Sequence, residues 1–532
     1  MSSTAAATYD VAIVGFGPVG AIFANLLSTY GLTIAVVEQA ADIYDKPRAI
    51  TIDHEVLRVF QACGLADVME KGIAPHPGTH YLGVDRDVIK IFDPMPPPYP
   101  LGWVPTATMV QPDVERALRA RLTRYDRADV FLSARATGLD QDADGVSLMV
   151  EEAGRAHALR AHYLVACDGA NSFVRKRLGI RFDDLAFDEW WMVVDAFAGD
   201  LAKRPDKCFQ YCWPARPGTF LPGPGALRRW EIKLLPGETP DDFASNDSII
   251  KVLQGFTDTS DLEIWRSAVY RFHALLAQSW REGRVFLMGD AVHQTPPFLG
   301  QGLSAGIRDA FNLAWKLAFV LAGKAGDAVL DSYELERKPH VGAVVATAKE
   351  FGKIIGELDP VAARTRDERL RTELRSGRAQ TIRQKFIPDL NGGLIALGAK
   401  LAGTLFVQPS VRCADGRVAR LDDLLPPGLA MVAATSEPMN WLTPQSRRFW
   451  RELGGDQVIV ADRMLIDAPH GAICAVEEGH LLRDWLHSNG ATVVVVRPDR
   501  YVFGAADNAD ELNELVGRIF YSLSRKPASA LS

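Results

Sequence analysis

Four buried-strand residues, Val11 to Val14, break into Gly15-Phe16-Gly17-Pro18-Val19-Gly20 and then into an apolar helix, and no other feature constrains the fold of this chain as tightly. The glycines answer to separate needs. Gly15 permits the tight turn, Gly17 lets backbone approach a pyrophosphate, and Gly20 allows close helix packing. A helix starting here offers free N–H groups and the positive end of its dipole to an anion. A second strand, Thr33 to Val37, follows, and Glu38 at its end is placed to accept hydrogen bonds from a ribose diol. Together these elements predict a βαβ unit that binds a dinucleotide, the alternative being a merely structural glycine turn.

A chain of 532 residues is too long for one compact core, and its texture divides it. The α/β opening is expected over 1–186, with an excursion near 76–110 around the Pro-rich DPMPPPYPLGW loop. Alternating segments such as Trp230-Glu231-Ile232-Lys233-Leu234, after a PGPG turn, predict an antiparallel sheet over 187–274. The α/β texture returns at Arg284-Val-Phe-Leu-Met and continues through a long helix and charged connecting helices over 275–402, so the nucleotide domain is discontinuous. Short strands alternating with helices predict a separate small domain over 403–532.

A net charge of −7, with no basic stretch, opposes nucleic-acid binding. Six cysteines form no CxxC pair and lack histidine-rich surroundings, so neither a metal site nor a redox dithiol is indicated. The N-terminus lacks the character of a signal peptide, and the apolar stretch from Ala314 to Leu321 is too short for a bilayer. A soluble cytoplasmic protein acting on small molecules is the expectation.

Two further patterns narrow the dinucleotide. Asp168-Gly-Ala-Asn-Ser-Phe-Val-Arg175 follows the strand Leu164 to Cys167, and Gly289-Asp290 follows Val285 to Met288 and leads through Pro296-Pro-Phe-Leu-Gly-Gln-Gly302 into a helix. With PRAITIDHEVLRVFQACGL from Pro47, GQGLSAGIRDAFNLAWKLA and VRPDRYVFG, their order and spacing resemble the class A flavoprotein aromatic hydroxylases across nearly the whole chain, most closely the branch acting on 3-(3-hydroxyphenyl)propionate. The resemblance implies a Rossmann-like FAD domain with an inserted antiparallel substrate sheet, as in p-hydroxybenzoate hydroxylase, and a thioredoxin-like C-terminal domain. It also implies an FAD-dependent monooxygenase of aromatic catabolism, hydroxylating a phenolic or heteroaromatic substrate with NADH or NADPH and O2 through a flavin C4a-hydroperoxide. A homodimer is compatible with it. No second GxGxxG supplies a nicotinamide domain, so NAD(P)H is expected to bind transiently.

On this resemblance Arg48 contacts the pyrophosphate, Gln111 the ribityl region and Asp290 the ribityl hydroxyls, while Gly300, Gly302 and Leu303 lie against the isoalloxazine. Pro18, Gln39, Asp168, Arg175 and Pro297 complete the cofactor candidates. A surface ion pair for Arg48, a helix cap for Asp290 and loop-tying roles for Asp168 and Arg175 stay open. Asp53, His54, His273 and His293 are candidate proton acceptors, with Asp53 and His54 carried forward although Asp53 is equally an N-cap. Pro297 and Phe298 are expected to wall the reaction cavity. Tyr211, Trp213 and Arg271 are substrate candidates from the inserted sheet, Arg271 for a carboxylate. An FAD-binding regulator without turnover and a tailoring hydroxylase of larger polycyclic aromatics are the alternatives. A halogenase is opposed by the missing WxWxIP motif, and thiol chemistry in the C-terminal domain by the wide separation of Cys413 and Cys474.

Overall fold

The computed structural model describes residues 8–465 and 469–524. Its first sheet is parallel at its centre, in the order Ala128–Phe131, Ile34–Val37, Thr8–Val14, Arg155–Ala166, Val285–Leu287. Ile34–Val37 is buried throughout, as a strand covered by helices on both faces must be. Because these strands are parallel, Gly15, Asp168 and Gly289 all emerge from one sheet edge, where ligands bind in such folds. The helix Pro18–Thr29 starts at that edge and packs against Gly302–Leu321 and Gln111–Leu122.

Facing this edge is a nine-stranded sheet built on two long antiparallel strands, Phe182–Ala198 and Leu262–Ala277. It continues through Leu227–Lys233, Gly218–Pro222 and Cys208–Tyr211, then draws in Thr79–Leu82, Val88–Asp93 and Gln380–Ile382 from distant parts of the chain. Side chains in a strand alternate between faces, so register decides what each face carries. One row reads Val194, Trp230, Phe220 across three strands and enters an apolar core with Met192, Ile232 and Tyr211. The intervening rows read Arg266, Asp195, Arg229, Leu221 and Val193, Glu231, Thr219, Gln210, and face the parallel sheet.

The C-terminal sheet pairs Ala430–Ala433, Asp456–Ala461 and Ile473–Glu477 in parallel and adds the antiparallel Val493–Val496 and Val502–Ala506. The helix Pro444–Glu452 connects its first parallel pair and Ala509–Leu523 closes the chain, a thioredoxin-like arrangement. Among the described residues no helix is long and apolar enough to cross a membrane.

Candidate active site

A cavity of about 700 Å³ lies between the carboxyl edge of the parallel sheet and the polar face of the nine-stranded sheet. The glycine turn forms one end. A Cβ on Gly15, whose φ is +100°, would sit 2.4 Å from the Cys167 carbonyl oxygen, and one on Gly20 would sit 2.1 Å from the Gly15 oxygen. Both positions are closed by backbone. Gly17 differs, since a Cβ there meets nothing within 4 Å and the residue opens onto the cavity beside Pro18. Open backbone at a helix start is what an approaching phosphate requires.

Glu38 is half-buried and its carboxylate accepts the N–H groups of Phe16 at 2.7 Å and Ala40 at 2.8 Å, while Gln39 is exposed outside the cavity lining. Glu38 therefore clamps the glycine turn. Arg48 lines the cavity on a loop held by Gln111, whose Oε1 accepts from the N–H of Ala49 at 2.6 Å and of Arg48 at 3.2 Å. Asp290 opens to the cavity beside the buried Gly289 and Ala291, its side chain exposed there and enclosed by the surrounding walls. Burial pushes its carboxyl above the ordinary range, against the opposing pull of His293 and Arg48. Gly300, in the left-handed conformation with φ +62°, ends the short turn Pro297–Leu299 and brings Pro297, Gly302 and Leu303 to the cavity. Phe298 packs edge-on to Trp191 at 5.1 Å and to Phe187 at 5.8 Å, forming an aromatic wall.

The DG motif does not reach the cavity through its charged side chains. Asp168 accepts the Val174 N–H at 3.1 Å, and Arg175 donates to the carbonyls of Ala291 at 2.9 Å and Ala170 at 3.1 Å, so the pair ties two cavity loops together. Asp53 and His54 also stand outside the cavity. Asp53 caps the helix His54–Ala62 and is ion-paired to Arg308; burial pushes its carboxyl up, but Arg308 and His54 outweigh that and hold it below the ordinary range. Burial lowers His54 to about 4, and neither residue lines the cavity. His293 is buried against Asp309 at 2.8 Å. His273 does line the cavity, near its rim.

Tyr211 and Trp213 lie on the face turned away from the cavity. Tyr211 belongs to the apolar core row and packs on Trp213 at 4.6 Å and Phe256 at 5.1 Å. Arg271 reaches the cavity, yet its guanidinium is exposed and paired with Asp188 at 2.6 Å. The cavity-lining residues missed from sequence are the polar row. Arg229 pairs with Asp195 at 2.7 Å and Arg266 with the same carboxylate at 3.2 Å, and both guanidiniums also donate to the Pro47 carbonyl, seating the Arg48 loop on the sheet. Beside them Glu231, 4.0 Å from Arg229, lines the cavity, and burial raises its carboxyl. Arg383, buried at the cavity edge, donates only to the Leu299 carbonyl at 3.4 Å and the Thr79 hydroxyl at 3.3 Å. Among the described residues no carboxylate pairs with it. The signal was present: Arg229 and Glu231 alternate with Trp230 and Ile232, and a polar row opposite an apolar one marks either solvent or a ligand.

Comparison with known proteins agrees with this geometry. The FAD binding domain family matches residues 8–348 and the HcaD C-terminal domain family matches 403–520. The 3-(3-hydroxy-phenyl)propionate/3-hydroxycinnamic acid hydroxylase of Burkholderia cenocepacia (strain HI2424) is 36% identical over 516 residues, covering 94% of each chain. Its namesake in Escherichia coli (strain SMS-3-5 / SECEC) is 33% identical, covering 93% of this chain and 92% of its own. Among solved structures, the flavin-dependent monooxygenase PieE in complex with FAD and substrate superposes with a TM-score of 0.79 at 20% identity, over 97% of this chain and 99% of PieE. Aklavinone-11 hydroxylase with FAD and aklavinone gives 0.75 at 22% identity, over 98% and 100%. A family match over most of the cavity-forming chain, with relatives this similar along their whole length, shows that this chain belongs to the FAD-binding aromatic hydroxylase family.

Proposed function

We propose that this protein hydroxylates a phenolic aromatic acid, using bound FAD, NAD(P)H and O2. The observation that carries the reading is one continuous cavity joining an open helix N-terminus at Gly17 to a buried polar sheet face. Bound and reduced FAD supplies the activation of dioxygen. The chain's own residues do the rest. Gly17 and the helix it starts receive the pyrophosphate with Arg48, and Gln111 holds the Arg48 loop in place. Phe298, Trp191 and Phe187 keep water from the reacting centre.

Glu231 takes the phenolic proton. Its raised pKa brings it closer to neutral pH, where a general base works best. Arg383 receives the substrate carboxylate, because a buried guanidinium without a counter-ion is costly until an anion arrives. The Burkholderia and Escherichia relatives are named for 3-(3-hydroxy-phenyl)propionate and 3-hydroxycinnamic acid, each of which carries a phenol and a carboxyl group.

The test is a panel of hydroxylated aromatic acids, their amides and larger polycyclic phenols, offered to FAD-loaded protein with each nicotinamide. Acids should accelerate NAD(P)H oxidation and amides should not. A chain that cannot be loaded with FAD, or one stimulated only by polycyclic phenols, overturns the reading.

A further inference from the structure

The cofactor-side loop Gly300-Gln301-Gly302 is held by a buried chain of polar contacts that begins in the C-terminal domain. The Tyr501 hydroxyl donates to Glu55 Oε1 at 2.8 Å. The other Glu55 oxygen pairs with Arg308 Nε, and Arg308 Nη2 pairs with Asp53 Oδ2. Arg308 Nη1 donates to Gln301 Oε1 at 2.8 Å, and Gln301 Nε2 donates to Asp53 Oδ2 at 3.1 Å. Each of these five residues is at most 5% exposed. Gly300 and Gly302, on either side of Gln301, line the cavity, as does Thr51, whose Cβ lies 3.0 Å from where a Gly300 Cβ would stand.

Charge explains why the chain needs its last member. Asp53 and Glu55 face one guanidinium, leaving a negative charge that a buried site must offset with donors. Gln301 and the Val56 N–H donate to Asp53, and Tyr501 is the donor to Glu55. Its own place is fixed by a second buried cluster, in which Arg497 pairs with Glu336 at 2.7 Å and Asp499 at 2.6 Å, while Asn312 of the Gly302–Leu321 helix donates to Asp499 at 3.2 Å. Arg500, between these anchors and Tyr501, has φ +65°, a left-handed conformation that a non-glycine residue keeps only when its surroundings enforce it.

We propose that Tyr501 is a positioning residue for the cofactor loop, so that the C-terminal domain sets the geometry of the FAD site through the Glu55–Arg308–Gln301 relay. This rests on the reading of the cavity as an FAD site. Nothing in the relay requires thiols.

Tyr501→Phe removes only the hydroxyl. It should weaken FAD binding to apoprotein roughly fivefold, by fluorescence titration, and shift the visible band of the bound flavin. Arg420→Met supplies the control. Arg420 stacks on Trp103 at 3.7 Å and pairs with Glu70 at 2.7 Å, joining the same domains away from the loop, so its loss should lower the unfolding temperature while the FAD signature stays put. Should Tyr501→Phe not fold, Gln301→Met cuts the relay at its other end and should reproduce the FAD signature. Unchanged FAD affinity and spectrum in Tyr501→Phe or Gln301→Met, or equal changes in Arg420→Met, would overturn the proposal. Both readouts need no aromatic substrate, so a protein that binds FAD and hydroxylates nothing sinks the functional reading and still decides this one.

Discussion

Gly17→Ala and Gly20→Ala, three residues apart in one turn, should fail in opposite ways. At Gly17 the backbone has φ −70° and ψ −174°, which alanine adopts freely, and the new methyl meets no atom within 4 Å. Alanine is a poorer N-cap than glycine by about 0.5 kcal/mol, and the loss of unfolded-chain freedom returns about 0.4–1 kcal/mol, so the apoprotein should melt as wild type does. The methyl instead occupies space that a pyrophosphate needs. Losing one charge-assisted hydrogen bond costs about 1.5–3 kcal/mol, which is roughly a 10- to 150-fold weaker FAD complex. At Gly20 the methyl would stand 2.1 Å from the Gly15 carbonyl oxygen, a backbone atom that cannot swing aside. The overpacking cost should reach the upper end of about 1–3 kcal/mol and appear in the apoprotein. Thermal unfolding without FAD, paired with FAD titration, separates the two. Wild-type FAD affinity in Gly17→Ala, or a wild-type melting temperature in Gly20→Ala, would refute the assignment of open and closed glycines.

Strand parity predicts that Tyr211→Phe leaves KM for the substrate unchanged, whereas Arg383→Met raises KM for acids by roughly tenfold or more and hardly alters it for their amides. Glu231→Gln should lower kcat by about 10²–10⁴ if the carboxylate takes the phenolic proton. The same substitution has a pH signature in the apoprotein. Burial raises the folded-state pKa of Glu231, so its contribution to stability is fully present below the unfolded value of about 4.3 and is lost as pH rises through the folded value. Glu231→Gln should therefore raise the melting temperature at pH 8 and change little at pH 4; the reverse order would show the carboxylate to be stabilised rather than strained. Cys413→Ser and Cys474→Ser should leave turnover intact, since both thiols are free and burial raises that of Cys474, and a large loss with flavin content unchanged would contradict this.

The parts legible in sequence were those set by local chemistry. A glycine turn between a buried strand and a helix declares itself because no other residue tolerates the backbone of Gly15 or the approach at Gly20. Asp290, Arg48 and Gly300 lie on the cavity because motif spacing fixes them relative to strand ends. Aromatic character singles out Tyr211 and Trp213 in sequence, but alternation turns Tyr211 into the apolar core and gives the cavity Gln210 and Glu231. Asp53 and His54 are close in sequence to Arg48, yet a helix start and Arg308 claim Asp53. Arg383 was not legible at all, and Tyr501 only as part of the VRPDRYVFG segment, with no sign of its partner Glu55. Arg383 reaches the cavity, and Tyr501 the relay behind it, from segments brought back by long-range topology, and nothing in the local sequence announces either destination.

Where the oxygen goes decides whether the cavity hydroxylates an aromatic acid. FAD-loaded protein, NAD(P)H and 18O2 should convert the best phenolic acid of the panel to a product carrying one 18O atom, with one nicotinamide oxidised per product and little peroxide. If nicotinamide is oxidised with every acid in the panel but all the oxygen is recovered as hydrogen peroxide, and no product carries 18O, then the cavity is not a hydroxylation site for aromatic acids.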